Sequence, residues 1–199
     1  MKNIVVCIKQ VPDTTEVKLD PVTGTLIRDG VPSIINPDDK AALEVALQIK
    51  EKTGAAVTVV SMGPAQADVA LREALAMGAD EAVLVSDRKF GGADTWATSS
   101  TIAGAIKKLD YDLIVAGRQA IDGDTAQVGP QIAEHLGIPH VSYAASVEVE
   151  GDDTVVIRRN FEDRYHIIEA KTPLLITTLG EEIEPRYMSV GGIFDAYRE

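Results

Sequence analysis

The chain has 199 residues, enough for one well-buried domain and marginal for two. Its 19 Lys and Arg against 31 Asp and Glu give a formal net charge of −12, which argues against a nucleic-acid binder or a protein held on anionic membrane by basic clusters. An apolar share of 45% beside 25% charged residues excludes wholesale disorder, and a single cysteine, Cys7, leaves no internal disulfide or cysteine-cluster metal site. The histidines at 135, 140 and 166 lack metal-ligand spacing. No apolar run approaches the roughly 18 residues of a bilayer span. The opening MKNIVVCIKQ has no signal or transit character, so the chain reads as a soluble protein of a reducing compartment, the cytoplasm.

Residues 3–8 form a β-branched run that suits a strand buried on both faces. Residues 17–19 and 25–27 flank DPVTG, and a small hairpin is expected there. Asn36-Pro37-Asp38-Asp39 then opens a helix, with Asn36 as cap, Pro37 in the first position and two acids at the positive end of the dipole. Ala42, Leu43, Ala46, Leu47 and Ile49 make its apolar stripe, and Gly54 stops it. A strand over 56–61, a helix from Gly63-Pro64 to Met77, and a strand over 82–85 follow. Asp94 caps a helix carrying Ile102, Ile106 and Leu109. A strand over 113–116 leads to a helix that Asp124 would cap, with Val128, Ile132 and Leu136 on one face and Gly137 at its end.

Alternation of this kind implies a doubly wound α/β architecture, a mostly parallel sheet with helices on both faces. The pattern changes after Pro139. Segments 140–150, 154–159, 164–170 and 174–178 read as successive strands, most simply an antiparallel C-terminal extension of the sheet. The last stretch, GEEIEPRYMSVGGIFDAYRE, has little periodicity and reads as a surface arm. The expected division is therefore a nucleotide-binding domain over 1–180 and an arm over 181–199.

In such a sheet, ligands bind at the carboxyl ends of the strands, where strand order reverses. The most informative loop there is GRQAIDGDTAQVGP, which leaves a strand and enters a helix. Its free N–H groups and the helix dipole make an anion site, to which Arg118 adds charge. An ordinary long loop fits the same residues. FGGADT cradles a phosphate or simply makes a turn. It differs from the SGGxDS loop of ATP pyrophosphatases in having Phe90 first and in following a later strand. No G-x-G-x-x-G follows the first strand, and there is no Walker A sequence. Cys7, inside a strand, reads as a small buried hydrophobe. Trp96 is either core or cofactor-facing, and no nucleophile–base pair or carboxylate dyad stands out.

VCIKQVPDT, INPDD, VSMGPAQ, ALAMGADEA, GRQAIDGDTAQVGP and EPRYMSV, in that order, resemble the electron transfer flavoprotein beta subunit over essentially the whole chain. The resemblance implies a heterodimer with an alpha subunit that carries redox-active FAD. It also implies an adenine-nucleotide-binding, Rossmann-like fold with AMP, or in the electron-bifurcating subset a second FAD, in the pocket. The adenosine would contact Cys7 and Asn36, Pro37, Asp38 and Asp39, with Met62 nearby. The phosphates would lie along Gly117, Arg118, Gln119, Ala120, Ile121, Asp122, Gly123, Asp124, Thr125, Ala126, Gln127 and Val128.

DRKFGGADTWATS and Gly123 resemble the bifurcating version, which favours FAD over AMP. Lys9, Asp94, Thr95 and Thr98 are then expected near the flavin. NADH would be the electron donor, with electrons passing to the alpha-subunit FAD and an acyl-CoA dehydrogenase-type partner, and to ferredoxin or flavodoxin. NADH oxidation would need the heterodimer. By the same resemblance, Glu184, Pro185, Arg186, Tyr187 and Val190 match the family's partner-recognition loop, with Val190 at the apolar anchor. Family members continue past this point with a segment that wraps onto the alpha subunit, whereas this sequence ends at Glu199. Two other readings fit the residues: an AMP-binding structural subunit of a one-FAD carrier, and a stand-alone ATP-binding stress-type module.

Overall fold

A computed structural model describes residues 1–13 and 32–198. The hairpin expected over 17–27 lies outside the described residues. The chain runs β1 (Asn3–Cys7), β2 (Gln10–Pro12), β3 (Ser33–Ile35), α1 (Pro37–Thr53), β4 (Ala56–Met62), α2 (Asp68–Met77) and β5 (Glu81–Val85). It continues α3 (Thr95–Ile106), β6 (Leu113–Gly117), α4 (Val128–Leu136), β7 (His140–Glu150), β8 (Thr154–Asn160), β9 (Tyr165–Lys171), β10 (Leu174–Thr178) and α5 (Val190–Ala196).

The main sheet has the order β5-β4-β1-β6-β10-β7-β8-β9. From β5 to β7 every neighbouring pair is parallel, and β8 and β9 add antiparallel pairs. The last strand departs from the sequence expectation. Leu174–Thr178 is not part of the antiparallel extension but lies between β6 and β7, parallel to both. The reason is apolar cover: Leu174, Leu175 and Ile176 have no exposed surface, and such a run is satisfied only in the middle of a sheet clad on both faces.

The period of two along each strand divides the core. Ile4 and Val6 of β1, Leu113 and Val115 of β6, and Leu174 and Ile176 of β10 share one cluster with Leu43, Leu47 and Leu71 of α1 and α2. Val5, Ile114 and Leu175 face the other way, into Ile102 and Ile106 of α3 and Ile132 of α4. Helices therefore cover both faces. Gly54 and Gly137 close α1 and α4 in the left-handed conformation that glycine adopts without steric cost. Leu109 lies beyond the end of α3, yet packs on the same cluster.

Candidate nucleotide site at the carboxyl ends of the central strands

Strand order reverses between β1 and β6, since β1 leads outward to β4 and β5 while β6 begins the other half. The loops leaving β1, β4 and β6 meet above this point, beside the start of α1. Cys7 ends β1 and Met62 ends β4, while Gly117 ends β6. The residues singled out in the sequence thus occupy one end of the sheet, apart from the arm.

The first turn of α1 organises the crevice through its side chains. Asp39 accepts from the backbone N–H of Lys9 at 2.8 Å with one oxygen and from that of Gly117 at 3.0 Å with the other. Asp38 accepts from Gly180 N–H at 3.0 Å and from Gln119 N–H at 3.4 Å. Asn36 was expected to cap α1, but its side chain does not cap the helix. It donates instead to the Gln119 carbonyl at 2.7 Å and accepts from Ile121 N–H at 3.0 Å. Asn36, Asp38 and Asp39 thus tie the loops after β1, β6 and β10 to one rigid helix. A Cβ at Gly117 would run into the Asp39 carboxylate and, at 2.7 Å, the α1 backbone, so only glycine allows this approach.

This packing controls the charge states. Burial, and then the nearby Asp39 carboxylate, push the Cys7 thiol up to about 12, so Cys7 is protonated at neutral pH. It is the buried small hydrophobe its position in β1 suggested. Burial pushes Asp39 up to about 7, against the Lys9 and Gly117 backbone donors, which pull it down. Lys9 reaches across the crevice to Asp122, with Nζ 2.6 Å from Oδ1. Arg118 turns toward the α1 side, 3.3 Å from Asp38 and 3.6 Å from Glu181.

The segment from Gly117 to Val128 is the open wall of the site. Gly123 and Asp124 N–H groups close a tight turn on the Ala120 carbonyl, and the Gln119 amide donates to Asp124. Asp124 and Ala126 both hold positive φ, at 54° and 52°, a backbone state that non-glycine residues adopt rarely and that concentrates at ligand clamps. Among the described residues, the N–H groups of Thr125, Ala126, Gln127 and Val128 make no backbone or side-chain hydrogen bond. Asp124 was expected to cap α4, but α4 begins at Val128 with Gln127 in the cap position. The physical reason is the strained turn, which inserts Thr125 and Ala126 between Asp124 and the helix. Unpaired N–H groups at a helix start, in a loop bent outward, form an anion cradle.

The start of α3 flanks this wall. Asp94 caps it by accepting from Ala97 N–H at 2.8 Å. Thr95 donates to Gln127 at 3.0 Å and accepts from Gln131 at 3.4 Å, which links α3 to the cradle. Thr98 lies one turn further on, half-buried. Trp96 is not core: it is 62% exposed, its ring edge-on to His135 at 4.5 Å. Beneath the crevice Ser61 Oγ is buried without a partner among the described residues.

Beyond Gly180 the arm crosses α1 and ends in α5, a helix the sequence reading did not anticipate. Glu184 and Tyr187 are exposed, Pro185 and Arg186 are half-buried, and Val190 starts α5 at 73% exposure.

The electron transfer flavoprotein domain family matches residues 23–192. The chain belongs to the electron transfer flavoprotein family. It is 69% identical over 195 residues to the electron transfer flavoprotein subunit beta of Clostridium acetobutylicum, covering 98% of this chain and 75% of that protein. It is 61% identical over 198 residues to the caffeyl-CoA reductase-Etf complex subunit CarD of Acetobacterium woodii, again 98% and 75% of the two chains. The acryloyl-CoA reductase electron transfer subunit gamma of Anaerotignum propionicum is 53% identical over 199 residues, or 98% and 74%. Within the family it is a beta subunit, and the mostly parallel α/β sheet is the fold expected of one. Among the described residues no helix is long and apolar enough to cross a membrane.

Sequence reasoning missed the way Asn36, Asp38 and Asp39 bind loops rather than only opening a helix. The signal was present in part, because three polar residues flanking a proline are more than one cap requires.

Proposed function

We propose that this electron transfer flavoprotein beta subunit binds FAD in the crevice between β1 and β6 and works as the NADH-accepting half of a bifurcating heterodimer. The observation that carries this reading is the cradle of unpaired N–H groups from Thr125 to Val128, joined through Gln127 to Thr95 of α3. That junction gives a dinucleotide two adjoining regions, one for its phosphates and one beside Asp94, Thr95 and Thr98 for a flavin ring. AMP would use only the first. Two relatives, named as a subunit of a caffeyl-CoA reductase-Etf complex and as an acryloyl-CoA reductase electron transfer subunit, support the same assignment.

In this reading the backbone N–H groups from Thr125 to Val128 hold the diphosphate, with Gly117 to Asp124 forming the rest of the wall. Cys7, Asn36 to Asp39 and Met62 wall the adenosine region, and the buried Asn36, Asp38 and Asp39 fix its shape through the loops they tie. Lys9, held by Asp122, places a positive charge at the flavin side of the crevice. A flavin bound there supplies hydride acceptance from NADH and single-electron delivery to the alpha-subunit FAD and to ferredoxin or flavodoxin. The protein's part is to bind, orient and set the electrostatics of that group. The arm over 184–190 meets an acyl-CoA dehydrogenase-type partner, with the exposed Glu184, Tyr187 and Val190 outward and Pro185 and Arg186 in the segment that carries them.

The test is NADH oxidation by the chain alone, by the alpha subunit alone and by the two together, with ferredoxin, an acyl-CoA dehydrogenase and its enoyl-CoA as the second electron acceptor present. Activity in the combination only, with ferredoxin reduced in step with the acyl-CoA product, is the expected result. NADH oxidation without ferredoxin reduction, or none in the combination, would contradict it.

A further inference from the structure

The arm contains a clamp that the cofactor site does not use. Arg186 Nε lies 2.8 Å from Glu44 Oε2, and its Nη2 lies 3.0 Å from Oε1, a two-pronged fork onto one carboxylate. The backbone N–H of Arg186 donates to the same Glu44 at 3.1 Å, and Nη1 reaches Glu51 at 2.5 Å. Both acids belong to α1. The Glu44 side chain is only 6% exposed, and a carboxylate so enclosed is stable only when paired. Burial raises its pKa, but the Arg186 and Gln48 hydrogen bonds outweigh that and hold it below the usual range.

Directly after this anchor the chain turns outward. Tyr187 is 93% exposed. Three residues later α5 settles on α2: Ser189 N–H donates to the Ala76 carbonyl at 3.3 Å, and a Cβ at Gly192 would fall on that same carbonyl. Arg72 of α2 donates to the Ala196 carbonyl at 2.6 Å. The segment between Arg186 and Ser189 is therefore fixed at both ends, by α1 through Arg186 and by α2 through α5.

We propose that Glu44 is a positioning residue for partner recognition, and that Arg186 serves recognition as the arm's anchor rather than as a contact with the partner. This rests on the reading of the arm as the partner surface. A guanidinium forked onto one carboxylate fixes direction as well as distance. Its consequence is that Tyr187 and Val190 stand outward before a partner arrives, so docking does not have to order them. The same helix holds the cofactor loop through Asn36, Asp38 and Asp39, so crevice and arm are referenced to one rigid element.

The experiment uses the chain assembled with its alpha subunit. A purified short-chain acyl-CoA dehydrogenase, reduced by its acyl-CoA, is the varied partner, and reduction of the heterodimer's flavin is followed. Glu44→Gln should raise the apparent KM for the dehydrogenase by about tenfold, as expected if only about a tenth of the arms remain in register. It should leave kcat and flavin content unchanged. Arg186→Lys, which keeps the charge and loses the fork, should fall between. Amide exchange over 183–198 should quicken in Glu44→Gln while the rest of α1 keeps its protection.

Val190→Asp separates the two claims. If it leaves KM unchanged, the arm is not the partner surface and the inference falls with that reading. If Val190→Asp raises KM and Glu44→Gln does not, the arm reading stands and the clamp is overturned. Loss of flavin content or kcat in Glu44→Gln, or an arm still fully protected from exchange, also overturns it.

Discussion

Asp39 is the residue on which most of the crevice turns, because both its oxygens are committed to backbone N–H groups of different loops. Its pKa of about 7, against an ordinary 3.8, means the folded chain holds the proton more tightly than the unfolded chain does. The stability from that proton is therefore full below about pH 4 and is lost as pH rises through about 7. Glu44, Asp80 and Asp112, all held below their usual range, act oppositely and lose their contribution as the pH falls through their folded values. Subtracting an Asp39→Asn variant isolates the first effect. The stability advantage of the parent over the variant should shrink by about 2–4 kcal/mol between pH 4 and pH 7.5 in urea titrations. An advantage that grows with pH would contradict the assignment. Gly117→Ala presses a methyl onto Asp39 and the α1 backbone, and should cost about 2–3 kcal/mol of stability by the same titration.

The loop from Gly117 to Val128 keeps its shape through α1 as well as through its own turn on the Ala120 carbonyl. Asn36→Ala removes both of its hydrogen bonds to that loop. The variant should lose about 2 kcal/mol of stability, and the nucleotide-depleted heterodimer should bind FAD about tenfold more weakly in titration calorimetry. Unchanged affinity would mean that the loop does not form the nucleotide wall. Most elements around the site were legible because each strand and helix carries its own period and its own stop residue. The exceptions have physical reasons. Asn36 stands where a cap belongs, yet its side chain bonds to Gln119 and Ile121, far away in sequence, and Asp124 accepts from Gln119 within its own loop instead of capping α4. The LLITT strand shows burial on both faces, but nothing in five residues tells which neighbours provide it. Val190, Ile193 and Phe194 of α5 and Tyr197 at its cap are at helical spacing, and the intervening Gly191-Gly192 pair hides that signal. Gly192 is there for close approach to α2, which only the fold reveals.

At the level of the assembled protein, the parallel sheet supplies a fixed edge of loops, and the net charge of −12 leaves little free positive charge to attract a phosphate. Lys9 and Arg118 are already engaged with Asp122 and with Asp38 and Glu181. In the proposed site, binding therefore falls to backbone N–H groups, a neutral device that works inside an acidic molecule. The nucleotide proposed for this crevice is FAD. The most direct test of this assignment is the nucleotide released on denaturing the purified heterodimer, separated by chromatography and quantified by absorbance. Two FAD and no AMP per heterodimer is the expected result; one FAD with one AMP would contradict it.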